Sequence, residues 1–242
     1  MNAADAILYL DDRTTGLLLD RFDPVRTVAR ALAAPAPGPL CARRAADVTV
    51  VATAPTGRVA CLISSADLRR LPLGCVVAAL ARALLRRPVP LVGLLGDAHC
   101  EATYLRPLVA ALPPGSQLAV CRPGPAPATS VPGGPAVTRR RGGVAVTVTR
   151  AAAEALRGAD LVIVTAPPPV RLDPRWPAAG AALLDVTGVT PNAGGLAGTA
   201  ALPWPGVRHR VTRAEVATAT TALAGEVYRV AVESGAGTWL PR

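Results

Sequence analysis

Apolar positions along this chain gather into short runs separated by polar, proline-rich or glycine-rich breaks. Residues 91–95, 117–121, 144–149, 161–165 and 182–186 are largely continuous apolar stretches of four to six residues. Runs of that length suit strands buried on both faces of a parallel sheet. Between them the spacing lengthens to a helical period, in residues 101–112 and again in 151–157. Alternation of this kind predicts an α/β fold, a Rossmann-like doubly wound parallel sheet with helices on both faces.

The flanking segments follow other patterns. Ile7 to Leu10 is a short strand candidate, and Asp23-Pro24 caps a helix that reaches Leu32, with proline at its first position. Residues 35–39 form a turn-rich linker. Residues 47–52 and 58–64 predict two strands of a hairpin around Pro55-Thr56-Gly57. An amphipathic helix is expected over 74–86, ending in arginines, and Pro88 marks a boundary. The Pro/Gly-rich segment 123–143 predicts a surface loop. A last helix spans 212–234, with Val216, Leu223, Val227 and Val230 on one stripe.

Composition narrows the function classes. At 242 residues there is ample material for a core. No apolar run reaches the roughly 18–20 residues of a membrane helix. Asp5, Asp11 and Asp12 surround the first apolar run, which is not the basic-then-apolar pattern of a signal peptide, so the expected location is cytoplasmic. Five cysteines (Cys41, Cys61, Cys75, Cys100, Cys121) without C-x-x-C spacing predict buried thiols and no metal site. Cys100 is the exception, because it would open a helix whose dipole lowers a thiol pKa.

The net charge of +10 comes from arginine alone, since the chain contains no lysine. Arg139-Arg140-Arg141 is the one dense basic run. With one Phe, three Tyr and three Trp there is little to stack bases, which argues against nucleic acid. An acidic protein or peptide partner, or a phosphate-bearing cofactor, suits the charge.

The candidate chemistry lies after residue 95. Gly96-Asp97-Ala98-His99-Cys100-Glu101 stands where a dinucleotide fold has G-x-G-x-x-G/A, and only the first glycine is kept. Ala98 adds a methyl where the backbone approaches the pyrophosphate. Glu101 brings a carboxylate toward it, which opposes the helix dipole. Arg122 ends the second strand, where it suits the 2′-phosphate of NADP more than the ribose of NAD. Thr165 and Ala166, followed by Pro167-Pro168-Pro169, face the ligand crevice at the strands' carboxyl ends. The cofactor-binding candidates are therefore Gly96, Ala98, Arg122, Thr165 and Ala166. His99, with Asp97 beside it, is the candidate proton donor. As a lone histidine it also fits a structural role.

Several short motifs together resemble the ornithine cyclodeaminase and mu-crystallin family. They are Ile7-Leu8-Tyr9-Leu10 with Leu17-Leu18-Leu19, Thr56-Gly57-Arg58-Val59-Ala60, Tyr104-Leu105-Arg106-Pro107-Leu108, and Gly158-Ala159-Asp160-Leu161-Val162. The closing Val227-Tyr228, Glu233 and Gly235-Ala236-Gly237-Thr238 are similar to that family's ending. The segment from Ala159 to Asp185, with Trp176, also resembles the tetrahydrofolate dehydrogenase family, which the N-terminal third fits poorly.

The first resemblance implies that the two chain ends, 1–87 and 209–242, join into a smaller α+β substrate and dimerisation domain. The nucleotide-binding domain would then be 88–208. It also implies a homodimer. The family's substrate lysine is excluded by composition, and the hairpin that carries it looks deleted between Pro39 and Asp47. Its carboxylate-binding arginine would fall near Leu73-Gly74, so Arg69 and Arg70 are the substrate candidates. Its aspartate would fall near Val189, four residues beyond Asp185.

The implied function is a divergent NAD(P)-linked oxidoreductase for an imine, enamine or amino-acid-like carbonyl in specialised metabolism, not a cyclodeaminase. The alternative is a non-catalytic scaffold or partner-binding protein that keeps the fold and binds no cofactor.

Overall fold

The computed structural model describes residues 6–33, 38–54, 56–96, 101–122, 137–165, 172–189, 204 and 206–241. It divides into two compact units, Met1–Val76 with Arg213–Arg242, and Val77–Thr212. The division falls inside a helix, so the Pro88 break in the sequence pattern is not where the units part.

The first unit holds a five-stranded mixed sheet. Its strands are β1 (Ala6–Leu10), β2 (Leu40–Ala45), β3 (Val48–Thr53), β4 (Val59–Ile63) and β12 (Thr238–Pro241), in the order β12-β1-β4-β3-β2. β1 runs parallel to β4, and the remaining pairs are antiparallel. The hairpin expected around Thr56-Gly57 joins β3 to β4. The deletion expected between Pro39 and Asp47 is overturned: β2 and β3 form a full hairpin there, from the pair Leu40–Thr53 to the pair Ala45–Val48. Polar Arg43 and Arg44 hid β2, because an edge strand with exposed side chains leaves no apolar run to read.

Three helices belong to this unit in full. α1 (Asp12–Leu19) is capped by Asp11, whose Oδ1 accepts from the Thr14 N–H at 2.7 Å. Its two threonines and Gly16 are poor helix formers, so the cap and the burial of Leu18 and Leu19 hold it. α2 (Pro24–Ala33) starts at the expected cap, where Asp23 Oδ1 accepts from the Arg26 N–H at 3.0 Å. α6 (Arg213–Ser234) buries Leu223, Ala224, Val227 and Ala231 and packs on α2, β2 and β3. α3 (Ala66–Leu84) begins in the first unit and continues into the second. It starts eight residues before the expected residue 74 and carries Pro72 inside it. Cys75 to Ala78 are fully buried, so this helix is not amphipathic there.

The second unit is the doubly wound half. Its strands are β5 (Leu91–Leu95), β6 (Gln117–Cys121), β7 (Val137–Arg141), β8 (Val144–Thr149), β9 (Leu161–Val164), β10 (Ala182–Asp185) and β11 (Arg208–Arg210). They form one seven-stranded sheet in the order β11-β10-β9-β5-β6-β8-β7. All neighbours are parallel except β7 with β8. With β7 set aside this is the dinucleotide-fold order, and the chain reverses its direction of winding between β5 and β9. α4 (Arg106–Ala111), preceded by a π-helical turn over Glu101–Leu105, links β5 to β6, and α5 (Ala152–Leu156) links β8 to β9.

The loop expected over 123–143 is corrected in its last third. Residues 137–141 are strand β7, and Gly142 and Gly143, at φ 54° and 79°, make the tight turn into β8. β11 was equally unreadable, being Arg-His-Arg with no apolar residue.

Gly93 shows why α5 lies so close to the sheet. A Cβ there would stand 2.6 Å from Leu156 Cδ2 and 2.8 Å from the Ala155 carbonyl oxygen. The core beneath that contact gathers Leu95, Ala155, Leu156, Val162, Val164 and Leu183. At roughly 1.5–3 kcal/mol for each large side chain taken from water, this layer is what fixes the strand ends.

Candidate functional site

Open α/β sheets bind ligands outside the carboxyl ends of their strands, where the winding reverses. In this protein that place is the end of β5, flanked by β9 and β6. Leu95 and Gly96 close β5. On one side the Thr165 N–H donates to the Leu95 carbonyl at 2.9 Å, and its hydroxyl donates to the same oxygen at 3.1 Å. On the other side the Gly96 N–H reaches the Cys121 carbonyl at 3.4 Å, and the Arg122 N–H donates to Thr149 at 3.0 Å. Three of the candidate cofactor residues, Gly96, Arg122 and Thr165, thus stand at the ends of three adjacent strands.

Their roles differ. Thr165 is buried and spends its hydroxyl proton on Leu95, so it forms floor and keeps only lone pairs for a ligand. Arg122 is half-buried at the end of β6, a setting that suits a phosphate oxygen. Asp97, Ala98, His99, Cys100 and Ala166 lie outside the described residues.

Arg69 and Arg70 fall in the first unit, in the first turns of α3. Arg69 Nη1 pairs with the Asp47 carboxylate, in the turn of the β2–β3 hairpin. Arg70 is exposed.

Asp185 ends β10 and is 1% exposed. Its Oδ1 accepts from the Thr187 hydroxyl at 2.7 Å and the Thr187 N–H at 3.1 Å. Its Oδ2 pairs with Arg208 Nη2, on β11, at 3.1 Å. Burial pushes this carboxyl up, but the hydrogen bonds from Thr187 and Arg208 outweigh burial and hold it below its ordinary value. The group is a tie between β10 and β11, not a free acid. Nothing in a polar run such as Arg208-His209-Arg210 announces that role. Gly93 was also missed, although a glycine inside an apolar strand signals close backbone approach.

Among the described thiols, the one at the end of β6 beside this crevice is quiet. Burial, helped by the Glu154 carboxylate, pushes Cys121 up, away from the thiolate a nucleophile needs. Among the described residues no group of three or more His, Cys, Asp or Glu side chains is placed to hold a metal ion. None of their helices is long and apolar enough to cross a membrane.

No family model and no curated protein sequence matches the chain. Its fold does match solved structures along nearly the full length. It is similar to the iminosuccinate reductase of Paracoccus denitrificans in complex with NAD+, at TM-score 0.65 and 11% identity over 98% of this chain and 100% of that one. It is similar to an archaeal alanine dehydrogenase dimer with bound NAD, at TM-score 0.61 and 13% identity over 97% and 99%. A probable ornithine cyclodeaminase from Bordetella pertussis Tohama I follows at TM-score 0.59 and 18% identity over 98% and 100%. The chain has the fold of the ornithine cyclodeaminase and mu-crystallin family.

Proposed function

We propose that this protein is a divergent NAD(P)-linked oxidoreductase acting on an imine, enamine or amino-acid-like carbonyl in specialised metabolism, and not a cyclodeaminase. The observation that carries this reading is the winding reversal between β5 and β9, with Arg122 half-buried at the end of the neighbouring strand. Two similar structures hold NAD, and their names describe reduction of an imine and oxidation of an amino acid. A dinucleotide would lie over the end of β5, with Gly96 and Thr165 as its floor and the Arg122 guanidinium on a 2′-phosphate. Bound there, the nicotinamide supplies or accepts a hydride. The residues of this chain then have to hold the substrate and exclude water. Asp97 and His99 are the candidates for moving its proton, and Arg69 and Arg70 for its carboxylate. Without a lysine, no side-chain amine is available for a cyclodeaminase-type role.

A second reading has its own support. The Thr165 hydroxyl, the Asp185 carboxylate and the Arg69 guanidinium all have partners inside the protein. A scaffold that keeps the fold without a cofactor would look the same at those positions.

Thermal melting with NADPH and NADH separates the two. A nucleotide present at 100 times its Kd adds about 2.7 kcal/mol of stability. Arg122→Glu should weaken NADPH more than NADH, and Glu101→Ala should tighten both by removing a carboxylate near the phosphates. No shift with either nucleotide at millimolar concentration would leave the scaffold.

Homodimerisation through the first unit belongs to the same proposal. Leu17, Val232, Trp239 and Leu240 are large apolar side chains left exposed on that unit, and β12 is an open, exposed edge. Sedimentation should give a dimer at micromolar protein. A monomer would refute this part alone.

A further inference from the structure

The second unit has a further concave surface, away from the carboxyl ends of the strands. α4 and the β7–β8 turn enclose a groove of about 520 Å³, walled by Leu105, Val109, Leu112 and Pro114 and flanked by Arg106 and Arg141. The turn is built to make it. A Cβ on Gly142 would stand 3.1 Å from Val109 Cγ1, so glycine lets the hairpin close against α4. This is the amino end of β8, the opposite end of the sheet from the crevice where β5 and β9 part.

Among the described residues the groove adjoins an open sheet edge: β7 is last in the strand order, and its register with β8 runs from Val137–Val148 to Arg141–Val144. A two-residue turn makes the pair that flanks it a hydrogen-bonded pair, and such pairs alternate along the ladder. Arg141 and Arg139 therefore bond inward to β8, while Arg140 and Thr138 present their N–H and C=O groups outward. Arg139, Arg140 and Arg141 are all exposed. No described carboxylate pairs with any of the three, whereas Arg69, Arg87, Arg175, Arg208 and Arg229 each have one.

We propose that this edge and groove form a docking site for an extended acidic segment of a partner protein. The segment adds a strand to β7, pairs its carboxylates with Arg139 to Arg141, and seats an apolar side chain in the groove. Main-chain bonds at a sheet edge give such a peptide affinity, and alternate side chains give selectivity. Arginines on an edge strand also deter self-pairing, but that task needs no apolar groove beside them. Nucleic acid fits the charge and not the walls, because none of the lining residues is aromatic.

Because consecutive side chains of a strand point to opposite faces, the test uses three fluorescent probes on the full chain: a Glu peptide with a single central Val (the Glu/Val peptide), a poly-Glu peptide of equal charge, and a single-stranded oligonucleotide. The Glu/Val peptide should bind at least tenfold tighter than either of the others. Charge reversal by Arg139→Glu with Arg141→Glu should weaken it at least tenfold. Thr138→Pro, which removes an outward N–H and is tolerated on an edge, should weaken it as well, with melting unchanged in all variants. Equal binding of poly-Glu would overturn the groove, tighter binding of the oligonucleotide would make this a nucleic-acid face, and indifference to both substitutions would remove the site. None of these outcomes bears on nucleotide binding, which is read separately with NADH and NADPH.

Discussion

The tie between Asp185 and Arg208 makes an asymmetric prediction. Asp185 is 1% exposed and Arg208 28% exposed, measured on their side chains. Arg208→Leu leaves a buried carboxylate with only the two bonds from Thr187, and such a charge has no route to water. Breaking a buried pair that way costs about 3–5 kcal/mol. Asp185→Asn removes the charge instead. The amide oxygen keeps the Thr187 bonds, and Arg208 is open enough to hydrate, so the loss is that of one charge-assisted bond, about 1.5–3 kcal/mol. The ordering is the content of the prediction. Urea unfolding should find Arg208→Leu the more damaging by roughly 1–2 kcal/mol. The double variant should cost less than the two singles added together. An Arg208→Leu protein as stable as Asp185→Asn, or strictly additive singles, would refute the reasoning.

The same group sets an acid limb. The folded-state pKa of Asp185 lies below the unfolded value, which is about 3.9. Its contribution is therefore complete above that value and is lost as pH falls through the folded pKa. Asp185→Asn should flatten the stability profile below about pH 4 and leave its shape at pH 6–8 unchanged.

Two further outcomes can be read from substitution or labelling. Gly93→Ala drives a methyl into the Ala155 carbonyl oxygen and Leu156, and should cost about 1–3 kcal/mol in denaturant unfolding; a neutral result would mean that α5 does not hold this close approach. In a Cys100→Ser background, native protein at pH 8 should release one thiol to Ellman's reagent, from exposed Cys41, because Cys75 and Cys121 are buried and burial pushes Cys61 up to about 12. Two or more thiols reacting before unfolding would contradict that burial.

The fold was legible wherever burial forced a continuous apolar run. β5, β6, β8, β9 and β10 are such runs, and their order supplied the α/β reading. The elements that escaped are those whose side chains face water. β7 is mostly arginine, β11 is Arg-His-Arg, β2 carries Arg43-Arg44, and every residue of β12 is exposed. An edge strand is held by backbone bonds to one neighbour, and backbone bonds leave no mark on residue type. The helix expected from residue 74 instead begins at Ala66, with Pro72 inside it, and buries the residues that follow. At the site, the backbone frame around Gly96, Arg122 and Thr165 was readable because it is made of strand ends. The commitment of Thr165 to Leu95 and of Asp185 to Arg208 was not, because each depends on a partner distant in sequence.

Charge follows a related logic. In a chain without lysine, every described ion pair uses arginine, and three of the six lie where two elements meet. Arg208 joins β11 to Asp185 at the end of β10, and Arg69 joins α3 to Asp47 in the β2–β3 turn. Arg87 reaches Asp160, whose carboxylate also accepts from the Leu91 N–H at 3.0 Å at the start of β5. Arg229 holds Glu226 and Glu233 along α6. Acidic side chains are the scarcer partner, 16 against 26 basic ones, so a surplus of guanidinium is unavoidable. On β7 that surplus is concentrated, three in a row on an open edge beside an apolar groove. A charge excess spread over the surface would favour solubility and little else. An excess lined up at strand spacing has a shape that one class of ligand, an extended acidic segment, can match.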